Sequence, residues 1–534
     1  MPTLNWMGKE KVVNHHRDVP YRVLERVPEK GVLDSRGSDC GNMIIHGDNL
    51  EALKALLPEY EGKVDCIYID PPYNTGNEGW VYNDNVNDPR IRKWLGQVVG
   101  KEGEDFSRHD KWLCMMYPRL QLLRKLLAPT GVIFISIDDV EATNLKLILD
   151  EIFGVEKFIC QFVWKSRQNK DNRNISGVSV DHEYVFCYGH KLRGAARDTS
   201  QYSNPDNDPR GAWASANMVG LATAEQRPNL HYDLIDPATG INYGCPLKGW
   251  RYDRNSMARL IEEDRIIWPA SPSGRPRKKQ YLAELDSPYT GFSSIVGEDC
   301  YTSSGTKELR SIFGSQVFDF PKCSAFVGEL VEQATCKPES IVLDSFAGSG
   351  TTAHAVLNLN RQDGLKRKFI LVEMGEYADD VTAERTRRVI GGYGNDPLTS
   401  PGIDSGFSYY ELGPALFDVE EPPISSKSAT PMISLNADVP TDAVRRYVWH
   451  TETRAEYVDR TGECLWLLGE HAQAAYYLVY VPGEETVLDY DLLGGFPVKG
   501  SPTVVYANRC ALSPDQLEAA GVAFKQIPSQ IARM

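Results

Sequence analysis

Short apolar runs alternate with amphipathic patterns of helical period along the first third of the chain. The runs at Cys66–Ile69 and Val132–Ile137 have the length and composition of buried strands. Helical periodicity separates them and is clearest at Trp112–Leu127, with Pro129–Gly131 as the expected stop. Strands that alternate with helices predict a parallel, doubly wound α/β sheet over residues 41–190.

This alternation stops near Lys191 and returns near residue 318. The stretch between them is rich in Asn, Asp, Pro, Gly, Ser and aromatic residues, which predicts a loop-rich insertion. Strands are predicted again at Ile341–Leu343 and Lys368–Glu373. The predicted organisation is an N-terminal extension (1–40), a first half of the sheet (41–190), an inserted domain (191–317), a second half of the sheet (318–412) and a small C-terminal α/β module (413–534).

Composition narrows the class of protein only in part. Of 534 residues, 42% are hydrophobic and 25% are charged, and no apolar run approaches the ~20 residues that span a bilayer. The first residues lack the apolar segment of a secretory signal, and eleven cysteines occur without a C-x-x-C pair. We therefore expect a cytoplasmic protein with no membrane partner, no disulfide framework and no metal site. The His15-His16 pair is expected at the surface.

The net charge of −15 is unevenly distributed. From Glu411 to Met534 there are 9 Lys and Arg against 17 Asp and Glu, so about half of the acidic excess lies in this tail. The insertion instead mixes basic and aromatic residues at Gly249–Tyr252 and Arg275–Tyr281. Such mixtures suit phosphates and bases, although a solvated, loop-rich insertion has the same pattern. Net charge therefore does not exclude a nucleic-acid partner.

The predicted strand in Val64–Gly76 ends at the turn Asp70-Pro71-Pro72-Tyr73. Two prolines fix φ twice and remove two N–H donors, so the strand stops in a stiff turn. Open α/β sheets bind ligands at the carboxyl ends of their strands. The Asp70 carboxylate and the Pro71 carbonyl are acceptors and the Tyr73 ring is a stacking surface, a set that suits the exocyclic amine of a nucleobase. A strand with a capped, proline-rich turn is the alternative interpretation.

A second turn follows the predicted strand Ile341–Leu343. The residues concerned are Asp344, Phe346, Ala347, Gly348, Ser349 and Gly350, with Thr351 and Thr352 opening the next helix. Two glycines allow close approach of a ligand, and the helix amino terminus presents free N–H groups. The spacing excludes a dinucleotide loop, because Ala353 occupies the third glycine position, and a Walker loop, because no lysine follows Gly350. The carboxylate of a bound amino acid remains compatible with these groups.

Three further residues extend this candidate site. Glu373 ends a predicted strand, where an acid can accept both hydroxyls of a ribose. Together with the glycine turn it suggests an adenosyl ligand without phosphates, and S-adenosylmethionine fits. Lys322 either neutralises the methionine carboxylate of that cofactor or is a surface lysine. Asp48 follows the short strand Met43–His46 and either caps the next helix or faces a ligand.

The two turns together carry a family resemblance. D-P-P-Y-N-T-G at 70–76 followed by F-A-G-S-G-T-T at 346–352 resembles the β-class DNA amino-methyltransferases. More narrowly, the chain resembles the modification subunits of type III restriction–modification systems, which methylate adenine at N6. The resemblance covers roughly Met43–Leu412. It departs from the family pattern at Cys323, where proline is usual, and at Ser345, which leaves only the fine cofactor contacts uncertain.

The resemblance implies a Rossmann-like methyltransferase sheet and a target recognition domain at 191–317. It implies that Asp70, Pro71, Pro72 and Tyr73 hold a flipped adenine. It assigns S-adenosylmethionine to Asp344, Phe346, Ala347, Gly348, Ser349, Gly350 and Thr351, with Glu373 on the ribose, Asp48 on the adenine amino group and Lys322 on the carboxylate. The implied partners are double-stranded DNA, a second copy of the chain and a restriction or helicase subunit.

Three other functions stay open at this point. N4-cytosine methylation also targets an exocyclic amine, although the family tendency at position 70 is Asp for adenine and Ser for cytosine. An RNA-modifying enzyme is disfavoured by the large insertion. A DNA-reading subunit that keeps the fold without turnover is disfavoured by the intact motifs.

Overall fold

The structure, a computed structural model, describes residues 3–75, 108–170, 177–394, 400–420, 432–455, 457–497 and 502–531. The chain divides into two compact units. One unit is Gly194–Phe292, and the other combines Met1–Arg193 with Ser293–Met534.

Ten strands form the main sheet of the larger unit within the described residues. They are β1 (Arg22–Arg26), β2 (Met43–His46), β3 (Val64–Ile69), β4 (Leu127–Ile137), β5 (Phe158–Trp164), β6 (Glu183–Gly189), β7 (Ile295–Val296), β8 (Ile341–Asp344), β9 (Lys368–Glu373) and β10 (Ser408–Ala415). Their spatial order is β1-β10-β2-β9-β8-β3-β4-β6-β5-β7. The neighbours from β10 to β4 are parallel, whereas β1 is antiparallel to β10 and β6 is antiparallel to both β4 and β5. The predicted doubly wound, mostly parallel α/β sheet is confirmed.

Helices precede, connect and follow these strands in the chain. They are α1 (Lys9–Val12), α2 (His15–Asp18), α3 (Asn49–Tyr60), α4 (Arg108–Leu126), α5 (Ala142–Phe153), α6 (Thr302–Phe313), α7 (Ser324–Ala334), α8 (Thr351–Asp363), α9 (Glu384–Gly391) and α10 (Thr441–Thr453). The central strands are buried on both faces, as at Cys66–Ile69 and Val132–Ile137, which explains why they read as unbroken apolar runs.

The connection from α4 to β4 differs from the expected one. Pro129–Gly131 was expected to stop a helix ahead of a strand at Val132, but β4 follows α4 directly at Leu127. Val64 pairs with Leu127 and Cys66 with Val132, so the Pro-Thr-Gly segment is accommodated as an irregularity of the ladder. Proline is tolerated at this position because a residue in a bulge does not have to donate a hydrogen bond to the neighbouring strand.

The smaller unit, Gly194–Phe292, is narrower than the insertion expected at 191–317. It holds the helix Arg254–Glu262 and two small sheets, built from Trp213–Asn217, Arg277–Tyr281 and Ile266–Ile267, and from Ala195–Ala196 and Tyr289–Thr290. Its core contains Met218, Tyr232, Leu234, Trp250, Met257 and Ile266. Residues after Ser293 belong to the larger unit because β7 extends the main sheet beside β5. The recognition role of the unit stays a prediction.

Residues 413–534 contain a small α/β module with two hydrophobic cores, one of which also includes Val23 of β1. The strands Leu467–His471, Ala474–Leu478, Thr503–Ala507 and Val522–Gln526 form one sheet in that order; the other elements are the strand pairs Phe417–Glu420 with Met432–Leu435 and Val487–Leu488 with Arg509–Cys510, helix α10, and the helices Tyr490–Gly494 and Pro514–Ala519. Helix α10 contacts α3, where Arg454 and His450 pair with Glu61.

The amino-terminal residues were expected to form an extension, but they pack into the larger unit. Strand β1 forms an edge of the main sheet, and α1 and α2 pack on α4. His16 is buried rather than at the surface, and burial lowers the pKa of its imidazole to about 4. Among the described residues, we find no helix with the length and apolar character needed to cross a bilayer.

Candidate active site

The proline turn and the glycine turn follow neighbouring strands. In the register of β3 and β8, Cys66 lies beside Val342 and Ile67 beside Leu343, so the two strands end at the same edge. The strand that follows β3 in the chain is β4, and it lies on one side of the β3–β8 pair. The strand that follows β8 is β9, and it lies on the other side. This is a topological switch point, where open α/β sheets have a crevice that binds ligands.

A cavity of about 760 Å³ occupies this edge, a size typical of small-molecule sites. Its lining includes Asp70, Pro71, Tyr73, Lys322, Asp344, Phe346, Ala347, Gly348, Ser349 and Thr351 from the predicted site, and also Tyr68, Asp138, Ser166, Arg167, His182, Glu183 and Phe320. Two turns that are more than 270 residues apart in the chain therefore open into one cavity. Among the described residues, no cluster of His, Cys, Asp and Glu has the arrangement of a metal site.

Hydrogen bonds between buried groups hold the proline turn in place. The Trp112 indole N–H donates to the Pro72 carbonyl at 2.7 Å, and both groups are buried. Asn74 follows with φ of 61°, a left-handed conformation that asparagine tolerates, and its amide donates to the buried Glu141 carboxylate at 2.5 Å. Pro72 is thus a support of the turn, whereas Asp70 and Tyr73 face the cavity.

Asp70 lies in a network of four ionisable groups. Lys322 Nζ donates to Asp70 Oδ2 at 2.9 Å, and the Tyr73 hydroxyl donates to Asp70 Oδ1 at 2.8 Å. Glu183 Oε2 lies 2.9 Å from the Tyr73 hydroxyl and 3.3 Å from Lys322 Nζ. Burial raises the pKa of Asp70, although Lys322 opposes the shift. Burial alone would lower the pKa of Lys322, but Asp70 and Glu183 outweigh it and raise that pKa.

The glycine turn needs its glycines. Gly348 and Gly350 have φ of 50° and 77°, and a Cβ on Gly350 would lie 2.8 Å from the Thr382 carbonyl oxygen. Glu373 Oε2 accepts the Gly348 N–H at 2.7 Å, and its Oε1 accepts the Gly375 N–H at 2.8 Å. Glu373 therefore fixes the turn, and it is not among the residues that line the cavity.

Asp344 is the buried carboxyl group at the end of β8. Its Oδ1 accepts the Phe346 N–H at 3.0 Å, and its Oδ2 accepts the Thr352 hydroxyl at 2.5 Å. Burial raises the pKa of Asp344 to about 7, because these hydrogen bonds offset only part of the desolvation cost. A positively charged ligand in the cavity would therefore stabilise the ionised form of this carboxyl group.

A buried cation lies directly behind the glycine turn. The Arg385 guanidinium donates to Thr351 Oγ1 at 2.7 Å, to Ser349 Oγ at 3.0 Å and to Glu308 Oε2 at 2.8 Å. Its side chain is fully buried, and burial lowers its pKa. Burial also lowers the pKa of the neighbouring His354 to about 4, so this imidazole is neutral. Arg385 thus joins α9, α6 and the turn.

Asp48 makes the capping contact that was one of its two expected roles, and Lys322 is buried rather than at the surface. Asp48 Oδ1 accepts the Leu50 N–H at 2.8 Å, which is the helix-capping contact, and Asp48 is not among the residues that line the cavity. Lys322 is buried against the proline turn and contacts Asp70, Tyr73 and Glu183. Their contacts with a cofactor stay predictions.

Glu183 and Arg385 were not singled out from the sequence. Arg385 lies in an ordinary helical segment without a recognisable motif. For Glu183 a signal exists: a strand antiparallel to β4 begins, rather than ends, at the ligand-binding edge. Because Tyr184 pairs with Ile137, the first residue of β6 lies beside the end of β4. A prediction that β6 runs antiparallel to β4 would therefore have identified Glu183, the first residue of β6, as a candidate site residue.

A profile of the DNA methylase family matches residues 64–384, which include both turns. The StyLTI Mod subunit of a type III restriction-modification enzyme from Salmonella typhimurium is 34% identical over 77% of this chain and 66% of its own length. The EcoP15I Mod subunit of Escherichia coli is 30% identical over 77% of this chain and 71% of its length. The type II methyltransferase M.KpnI of Klebsiella pneumoniae is 35% identical over 66% of this chain and 84% of its length.

The chain belongs to the DNA methylase family. It spans about two thirds of the length of the type III Mod subunits that it matches. The resemblance carried by the two motifs is thereby confirmed.

Proposed function

We propose that this chain transfers a methyl group from S-adenosylmethionine to N6 of adenine in double-stranded DNA. One observation carries the proposal most directly: the Asp70 turn and the Asp344 turn open into one cavity at the switch point of the sheet. Membership of the DNA methylase family supports the same reaction class.

The lining of the cavity fits the proposed cofactor. Asp344 supplies a buried carboxyl group, the glycine turn supplies backbone N–H groups at the start of α8, and the cavity volume suits a ligand of this size. When bound, S-adenosylmethionine supplies a methyl group on a positively charged sulfur. Asp344 and the turn Phe346–Thr351 would hold it, with Arg385 keeping the turn in place.

On the other side of the cavity, Asp70 and the Pro71 carbonyl would accept the N–H groups of the target amine. These bonds keep the nitrogen lone pair from delocalising into the ring and aim it at the methyl carbon. The bound cofactor would supply the methyl group and keep the electron pair of its broken C–S bond on sulfur, and the methylated nitrogen would pass its proton to the Asp70 carboxylate that accepts it. Tyr73 would stack on the flipped base, and positioning of the reacting groups would supply most of the rate gain.

Specificity for adenine rather than cytosine rests on Asp70 and on the type III relatives. The test is to express the chain in a bacterial host without adenine methylation and to map modified bases by direct sequencing of its DNA. We expect N6-methyladenine at one short motif, and none with Asp70→Ala. N4-methylcytosine at that motif would overturn the adenine assignment, and unmodified DNA with retained binding would favour the non-catalytic subunit.

The proposed partners follow from the family and from the smaller unit. Residues 194–292 would read the DNA sequence, since they place cations over aromatic rings, as with Lys278 over Tyr252 and Arg254 over Tyr232. A homodimer and a restriction subunit are part of this proposal, whereas the likeness to M.KpnI makes a stand-alone modification enzyme the second candidate. The proposed setting is the cytoplasm, because the substrate is DNA and all eleven cysteines are free thiols.

Binding of S-adenosylmethionine should tighten as the pH rises towards neutrality. A cationic ligand favours the ionised form of Asp344, whose pKa burial raises to about 7, so binding releases a proton below that pH. Between about pH 5.5 and 7.5, below the titration of the ligand's own amine, we expect the dissociation constant to fall about tenfold or more. Calorimetry measures it, with Asp344→Asn as the control that should abolish the slope. An unchanged slope in that variant would contradict the role of Asp344.

A further inference from the structure

Both oxygens of Asp70 already accept hydrogen bonds from the protein. Lys322 Nζ occupies Oδ2 at 2.9 Å, and the Tyr73 hydroxyl occupies Oδ1 at 2.8 Å. A carboxylate oxygen can accept a second hydrogen bond, but each internal donor weakens it as an acceptor, so the target amine competes with Lys322 and Tyr73 for Asp70. Another acceptor for one of these donors would strengthen the hydrogen bond that the amine donates to Asp70.

Glu183 is the acceptor within reach. Its Oε2 lies 2.9 Å from the Tyr73 hydroxyl and 3.3 Å from Lys322 Nζ. A tyrosine hydroxyl has a single hydrogen, so Tyr73 donates to one of the two carboxylates at a time. The Lys322 ammonium donates in turn to the Tyr73 oxygen at 2.8 Å, which leaves the hydroxyl hydrogen to choose between Asp70 and Glu183.

The sheet fixes Glu183 in this place. Strand β6 lies between β4 and β5, where Glu183 pairs with Trp164 and Tyr184 pairs with Ile137. Trp164 is fully buried beside the network, and Lys322 Nζ lies 5.5 Å from the centre of its ring. An acceptor on a paired strand holds its position while the hydroxyl of Tyr73 rotates, which a residue on a loop would not ensure.

We propose that Glu183 is a positioning residue that takes over the hydrogen bond of the Tyr73 hydroxyl, and part of the charge of Lys322, and so frees Asp70 Oδ1 for the target amine. The inference rests on the proposed function, because it needs an amine at Asp70. The network holds two carboxylates and one ammonium, so it keeps one negative charge. Without Glu183, Lys322 and Tyr73 would both remain on Asp70 and compete with the substrate.

The test is a double-mutant cycle of Glu183→Leu and Tyr73→Phe, measured as single-turnover methylation of duplex DNA at saturating S-adenosylmethionine. Leucine removes the acceptor, and phenylalanine keeps the stacking ring and removes the competing hydroxyl. We expect Glu183→Leu to slow transfer about 10²-fold in the wild-type background and less than about tenfold in the Tyr73→Phe background. Cofactor affinity should change less than about threefold in every variant.

Two further variants separate position from charge and from folding. Glu183→Asp keeps the charge but withdraws the oxygen from Tyr73, so we expect a loss close to that of Glu183→Leu. Glu329→Gln is the matched control, since Glu329 accepts the Gly297 N–H at 2.8 Å and does not line the cavity. Thermal unfolding of each variant shows whether a loss of rate reflects a loss of fold.

The possible results are distinct. Equal losses from Glu183→Leu in both backgrounds, full activity of Glu183→Asp, or a loss that follows cofactor affinity would each overturn the positioning role while the wild type still methylates DNA. A wild-type protein that transfers no methyl group to DNA would instead overturn the proposed function and this inference with it.

Discussion

Replacing Asp70 by alanine should lower the rate of methyl transfer to DNA by at least about 10³-fold while S-adenosylmethionine still binds. The reason is that Asp70, which lines the cavity after β3, would provide the acceptor for the target amine, whereas the proposed cofactor contacts lie on the glycine turn. Filter assays with labelled cofactor measure the rate, and calorimetry measures cofactor binding.

The control for this variant is Asp65→Asn, on the same strand as Asp70 but at its other end. Asp65 accepts the Ile341 N–H at 3.1 Å, a bond that an asparagine oxygen can also accept, so its activity should stay near that of the wild type. If Asp70→Ala instead lost cofactor binding and kept the rate at saturating cofactor, the two sides of the cavity would have been assigned the wrong way round.

Replacing Arg385 by leucine should destabilise the protein by about 3–5 kcal/mol and weaken S-adenosylmethionine binding at least about tenfold. The substitution leaves the largely buried Glu308 carboxylate without its charged partner and releases Ser349 and Thr351 of the glycine turn. Urea unfolding measures the stability, and calorimetry measures the binding.

Arg388→Leu is the matched control on the same helix. Arg388 is partly exposed, pairs with Glu384 at 2.8 Å and donates to the Ile312 carbonyl at 3.1 Å. We expect a smaller loss of stability, of about 1–2 kcal/mol, and no change in cofactor affinity. Equal effects of the two substitutions would mean that α9, rather than the buried guanidinium, supports the turn.

The sequence predicted the two turns and their cavity because each turn follows a strand with an unmistakable pattern. Unbroken apolar runs mark central parallel strands, and such strands end at a common edge. The same reasoning predicted that Asp70, Tyr73 and Asp344 lie at this edge, and all three line the cavity.

The sequence did not predict the positions of residues that depend on packing between distant elements. Lys322 was expected either at the cofactor carboxylate or at the surface, and it is buried with its ammonium 2.9 Å from Asp70, a contact between distant parts of the chain. Glu183 depends on the direction of β6, and Arg385 on the packing of α9 against α6 and α8. No spacing in the sequence expresses these three placements.

The bounds of the smaller unit could not be predicted from the sequence for a different reason. Its composition indicated an insertion, but loop-rich sequence does not mark where the main sheet resumes. The two-residue strand β7 pairs with β5 and brings the chain back to the larger unit near Ser293, well before Val317. A strand this short has no periodicity from which to be predicted.

Hydrogen exchange by mass spectrometry tests the central claim most directly, namely that the two turns share one ligand cavity. With S-adenosylmethionine alone, amides of Phe346–Thr351 should exchange more slowly; with DNA added, amides of Tyr73–Thr75 should follow. Protection of the glycine turn without any change at the proline turn when both ligands are present would contradict the account.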